Sequence, residues 1–217
     1  MNNVKGFGAP ARRVTLALAV AALFQAGSAL AALELRDLAG NPTAVAADAE
    51  FAYDTLLDAT WYLTANNTPL TWDGAKSWAS ALTVGTFSGW SLPAADPVCG
   101  LAYNCTNSQM GELWYTALDN RAGGGGSFRV ANTGPFKFLL LYFYWSGTEY
   151  APIPGYAWGF HTGNGDGYQT ANLKNRDRYA LAVRPGDLVP VPEPGTVALL
   201  LSGLAGVMVM RRRPVGS

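Results

Sequence analysis

The chain has 217 residues, with 15 Lys and Arg against 15 Asp and Glu and a single histidine. Aromatic residues make up 12% and charged residues only 14%, which excludes a disordered chain, since disorder needs low hydrophobicity and high net charge. The formal neutrality is not shared along the chain. Three basic residues lie in the first 31 positions and three in the last seven, leaving nine against the 15 acids between Glu34 and Glu193, a net charge of −6. A body of that sign excludes nucleic acid as the main partner, because phosphate backbones need cationic surfaces.

Taken in chain order, residues 1–31 read as a secretory signal peptide. Lys5, Arg12 and Arg13 form a basic start, Val14 to Phe24 an apolar run, and Ala29-Leu30-Ala31 a small-residue cleavage site. Signal peptidase would then leave a mature chain starting at Ala32. Residues 32–187 have the length of one domain. A strand is expected near Trp61–Thr64.

Thr71 is placed to cap a first helix, with Asp73 near its positive end. Ala75, Trp78, Ala79 and Leu82 repeat at helical spacing, and Gly85 lies beyond its end. Cys99 and Cys105 are the only cysteines. In an exported chain they are expected to form a disulfide, worth roughly 2–3 kcal/mol for so small a loop. Asn107 or Ser108 caps a second helix carrying Met110, Leu113, Trp114, Ala117 and Leu118, with Asn120 as its left-handed stop. Gly123 to Gly126 reads as a loop tip.

Strands are expected at Leu139–Trp145, Tyr156–His161, Tyr168–Asn172 and Tyr179–Val183. Asn164-Gly165-Asp166-Gly167 supplies a hairpin turn. The strand near Trp61 is expected to join the same antiparallel sheet, giving an α+β fold of two helices and one sheet.

The C-terminal region, residues 188–217, has three parts in order: Pro192-Glu193-Pro194-Gly195-Thr196, an uncharged run over 197–210, and Arg211-Arg212-Arg213. As a helix the run, with Thr196, spans roughly 22 Å. That is short against a bilayer core of about 30 Å and suits transient residence in the inner membrane. The trailing arginines place everything before Pro192 outside the cytoplasm.

These three parts resemble the PEP-CTERM sorting signal of Gram-negative bacteria. The resemblance implies an exosortase, an integral membrane cysteine transpeptidase, as processing partner. It would cut near Pro192, Glu193 and Pro194 and pass the body to the cell surface or an extracellular matrix. The body resembles the DUF1566, or Lcl C-terminal, domain. The residues that carry this are Trp72 with Ala75 and Ala79, Trp90-Ser91-Leu92-Pro93, Glu112-Leu113, Tyr144-Trp145-Ser146-Gly147-Thr148, Ala157-Trp158 and Ala182-Val183-Arg184. That resemblance implies a C-type-lectin-like fold with little assigned chemistry. Ser91 stands where the family usually has Arg, and no cysteine follows Cys105, so the formylglycine-generating activity of related folds is not expected.

Candidate chemistry is sparse. His161 with Ser146 or Ser127 and Asp166 lacks the surroundings of a nucleophilic triad. Glu112 and Glu149 could pair for glycoside hydrolysis only at a defined separation, and structural roles are the expectation, with Glu112 or Arg184 fixing a buried polar contact. Asn164, Asp166 and Glu149 offer oxygens for calcium, but they read as turn residues. No catalytic residue, metal or cofactor is assigned. Trp90 and Trp145 are expected in the core. Tyr150, Tyr156 and Tyr168 are expected to be exposed and to form the ligand surface, since aromatic faces stack on sugar rings. The expected function is that of a non-enzymatic surface or matrix protein with glycan or exopolysaccharide as ligand. An envelope enzyme acting on polysaccharide is the alternative.

Overall fold

The computed structural model describes residues 33–123, 131–140, 142–163 and 167–188. The chain runs β1 (Leu33–Arg36), β2 (Phe51–Asp54), β3 (Ala59–Tyr62), α1 (Trp72–Ala81), β4 (Ala102–Tyr103), α2 (Gln109–Glu112), β5 (Phe143–Glu149), β6 (Tyr156–His161), β7 (Tyr168–Leu173) and β8 (Val183–Pro185). The α+β class is as expected, but there are two antiparallel sheets where one was expected. One has the order β1-β2-β3-β8 and the other β4-β7-β6-β5.

The strand expected near Trp61 is β3. It joins the first sheet, hydrogen-bonded to β2 and β8, and not the sheet that holds β5, β6 and β7. The first strand pair, β1 with β2, had no counterpart among the expected elements. Each of the two is four residues long, too short for an alternation to declare itself.

α1 begins where its cap predicts. The Thr71 side chain accepts from the Gly74 N–H, and Trp72, Ala75 and Ala79 turn inward. Ser108, the second of the two expected caps, accepts from the Gly111 N–H at the start of α2. That helix is α-helical only to Glu112. Leu113–Ala117 continues as a π-helical turn, and Asp119, not Asn120, takes the left-handed conformation after it.

Three strands are shifted from expectation. β3 covers Ala59–Tyr62 where Trp61–Thr64 was expected. β5 starts at Phe143, not at Leu139, because the segment before it folds back: the Leu140 N–H donates to the Tyr144 hydroxyl at 2.7 Å, and that hydroxyl donates to the Leu140 carbonyl at 3.0 Å. The strand then runs on to Glu149 through an irregularity between Trp145 and Glu149. β8 covers Val183–Pro185, while Tyr179 upstream makes only an isolated bridge to Tyr144. β6 and β7 lie where expected, although the turn residues 164–166 fall outside the described residues, as do residues 124–126 of the tetraglycine.

Strand alternation explains the core. Ala52 and Trp61 from the first sheet meet Leu113 and Trp114 of the π turn and Tyr144 and Phe160 of the second sheet. The opposite side of β5, with Phe143 and Trp145, packs on Trp72, Ala75 and Ala79 of α1. Trp90 and Trp145 are buried, as expected. Cys99 and Cys105 are disulfide-bonded. Gly111 rests against this loop so closely that a Cβ there would stand 1.7 Å from the Cys105 carbonyl oxygen.

The outer face of the first sheet is closed by the end of the body. Gly186 donates its N–H to the Asp58 carbonyl at 2.8 Å and accepts from the Thr60 hydroxyl at 2.7 Å. Asp187 takes two hydrogen bonds from the guanidinium of Arg36, at 2.9 and 2.7 Å. Leu188 is buried with Phe51, Trp90 and Ala182. Its seat needs a glycine at position 40, where φ is +86° and a Cβ would lie 2.7 Å from the Phe87 ring. Arg36 is only 3% exposed. Breaking such a paired, buried charge costs about 3 kcal/mol, so Gly186–Leu188 is a fixed strap.

Candidate functional site

A concave site lies beside α1. It is a cleft of about 390 Å³ whose lining includes Tyr62, Thr64, Asn67, Trp78, Leu82 and Phe138. Trp78 reaches it from the flank of α1, and Leu82 from the extended C-cap just past the helix end. Tyr62 reaches the cleft from the end of β3. Phe138 comes from the folded-back segment before β5. It is 70% exposed, with φ of +61°. A non-glycine residue in that conformation, bearing a large exposed ring, is unusual and occurs preferentially at binding surfaces.

Three rings therefore border a trough floored by the 64–68 segment. That segment is pinned from behind: the Asn66 amide accepts from the Ala180 N–H and donates to the Thr68 carbonyl. Two polar handles in the cleft are unspent. Neither the Tyr62 hydroxyl nor the Trp78 indole N–H bonds to any described residue; the indoles of Trp72, Trp90 and Trp145 donate to backbone carbonyls, while the buried Trp114 indole also lacks a partner. The Asn67 side chain is exposed and engages only the Thr68 hydroxyl, at 3.2 Å. No ionisable group other than the Tyr62 phenol lines the cleft. The chemistry on offer is ring stacking plus neutral hydrogen bonding, with no group suited to proton transfer.

The three tyrosines singled out from the sequence do not form this site. All three are half-buried, not exposed. Tyr150 and Tyr156 meet at the β5–β6 turn, where the Tyr150 N–H donates to the Tyr156 carbonyl at 3.1 Å, and the Tyr150 ring packs edge-on to Trp158. Tyr168 is at the other end of the sheet. It pairs with His161 while Tyr156 pairs with Leu173, and this register places the two tyrosines on opposite faces. The Tyr168 ring leans on Tyr103 and its hydroxyl donates to the Leu101 carbonyl.

The carboxylates also separate. Glu149 is tied to Lys174, and Asp166 lies outside the described residues. Glu112 points into the core, 7% exposed, beside the fully buried Asp54. Burial first, and the neighbouring Asp54 second, push its carboxyl up to about 8. Neither Glu112 oxygen has a hydrogen-bond donor. Asp54 takes three: the N–H groups of Leu56 and Leu57 at 3.1 Å and the Trp61 indole at 3.4 Å. Glu112 therefore meets a carboxylate and not a partner cation. Arg184 is half-buried over the rings of Phe87 and Trp90, and its Nε has no hydrogen-bond partner among the described residues, so neither residue makes the buried polar contact expected of it. Ser146 is buried, with its hydroxyl accepting from the Thr148 N–H, and His161 closes β6. Among the described residues no cluster of His, Cys, Asp and Glu could hold a metal ion.

Among the described residues no helix is long and apolar enough to cross a membrane. The run 197–210 and the processing residues Pro192, Glu193 and Pro194 lie outside them. For this region the finding comes from comparison: the PEP-CTERM protein-sorting motif matches residues 190–213. It identifies the chain as an exported protein sorted by an exosortase. No curated protein and no solved structure matches the chain.

Proposed function

We propose that the protein is a non-enzymatic component of the cell surface or extracellular matrix of a Gram-negative bacterium, and that its body binds a neutral glycan in the Tyr62–Trp78–Phe138 cleft. Signal peptidase and exosortase process its two ends. The body is a DUF1566-type domain of lectin-like character. The observation that carries the ligand is the pair of amphipathic rings, Tyr62 and Trp78, that border an open trough with unspent hydroxyl and indole N–H groups. Aromatic faces cover the apolar side of a pyranose ring while its hydroxyls bond the polar edges. The absence of a charged lining group favours uncharged sugars over uronates or sulfated chains. The placement of the carboxyls supports a binding role over hydrolysis: Glu112 and Asp54 are sealed in the core, and Glu149 is spent on Lys174.

Binding of the purified body to an array of neutral and acidic glycans, with and without calcium, tests this. Neutral glycans are expected to bind, and Trp78→Ala is expected to weaken them at least about fivefold, the loss of about 1–3 kcal/mol expected for an aromatic anchor. Empty arrays under both conditions, or binding unaffected by Trp78→Ala and Tyr62→Ala, would refute the ligand assignment.

A further inference from the structure

The strap Gly186–Leu188 and the sorting motif are too close together to act independently. Three residues, Val189, Pro190 and Val191, separate Leu188 from Pro192. At full extension Pro192 therefore lies within about 14 Å of the buried Leu188. A domain of this size has a radius of gyration of about 15 Å. An enzyme that takes Pro192–Pro194 into its active site must therefore touch the body, unless the strap peels away. Peeling would break the Arg36–Asp187 pair, both Gly186 hydrogen bonds and the burial of Leu188 together.

The surface beside the strap is shaped for contact. A groove of about 370 Å³ is lined by Glu34, Leu35, Arg36, Pro42, Thr43 and Ala44. Leu38, two residues from the Gly40 that seats Leu188, is 53% exposed, as is Val45, next to Ala44 in the chain. Glu34 lines the groove and Asp48 sits beside Val45, its N–H donating to the Val45 carbonyl; both are exposed, and Asp37, next to Leu38 in the chain, is half-buried.

We propose that this face, the Leu35–Ala44 groove with Leu38 and Val45, is the docking surface by which the folded body seats on its membrane-embedded processing enzyme while the tail is cut. The proposal rests on the sorting reading above. The partner surface it fits is apolar at its centre and basic at its rim. Recognition is thereby extended from the tail to the fold, so that a correctly folded body presents the Pro-Glu-Pro segment at a set distance from the enzyme.

The test uses the full-length precursor in cells that process it. A photo-crosslinking amino acid is placed singly at Leu38, at Ala44, or at Ile153, which is exposed in the β5–β6 turn of the other sheet. Adducts with the processing enzyme are expected from positions 38 and 44 and not from 153. In pulse–chase, Ala44→Arg and Leu38→Asp are expected to slow tail removal about fivefold, the loss of one good interface side chain. A ten-residue Gly-Ser insertion after Leu188, which relaxes the tether, should bring both variants close to the wild-type rate. Unchanged melting temperatures separate this from misfolding. Enzyme adducts from none of the three positions, or equally from all three, would overturn the proposal, as would wild-type processing of both variants. A wild-type chain that is never cut refutes the sorting reading instead.

Discussion

Each face of the β1-β2-β3-β8 sheet buries an ionisable side chain, and the two faces treat it in opposite ways. On the outer face Arg36 is enclosed by Asp187 and Glu34, and these hydrogen bonds, Asp187 foremost, raise its already high pKa. On the inner face Glu112 meets another carboxyl, with no donor for either of its oxygens. Low exposure is common to both, so burial alone does not decide stability. The complement decides it: the first pair is a clamp at every ordinary pH, and the second tolerates burial only while Glu112 keeps its proton.

This contrast can be broken most forcefully from the clamp side. Arg36→Ala removes the two guanidinium hydrogen bonds to Asp187 and loosens Leu188. It should cost about 3–5 kcal/mol in denaturant unfolding, with a smaller loss for Asp187→Asn, which keeps one acceptor. On the opposite face, Gly111→Ala drives a methyl into the Cys105 carbonyl and pushes α2, and Glu112 with it, off its seat. A loss of about 2–3 kcal/mol is expected from calorimetry.

Glu112→Gln sharpens the comparison without disturbing packing. In the wild type the folded state holds a proton that the unfolded chain has released, across the window from the ordinary value of 4.5 up to about 8. Its contribution is therefore complete below that window and is lost as pH rises through it. Melting temperature should fall with pH across this range, and Glu112→Gln should flatten the slope. An unchanged slope would mean that Glu112 does not titrate in the core. The smallest effect belongs to a site on neither face. Thr71→Ala removes the cap of α1 and should cost about 1 kcal/mol, with no dependence on pH.

These contrasts also mark what could be read in advance. The helix starts were legible because Thr71 and Ser108 are local signals, each followed by apolar residues at helical spacing. β6 and β7 were legible because each is a six-residue run that opens on a tyrosine and is bounded by turn residues. β1 and β2 were not, being four residues each. The π turn was not, because its apolar residues fit α spacing equally well. The disulfide followed from compartment and count.

The cleft was hidden for a different reason. Tyr62, Trp78 and Phe138 come from a strand, a helix and a folded-back loop, and nothing local says that they converge. A ring with a left-handed backbone, as at Phe138, has no sequence signature. The tyrosines favoured from sequence sit in strands, where the partner strands and the turn consume their faces. Asp54 and Glu112 likewise meet only through the packing of α2 on the first sheet.

The account turns on an exported chain trimmed at its rear, with the body locked just ahead of the cut. The intact mass of the protein recovered from the envelope or surface fraction tests this most directly. The account predicts a chain that begins at Ala32, has lost Arg211–Arg213 and the apolar run, and keeps Leu188. A chain recovered with Met1 and Ser217 both present would contradict it.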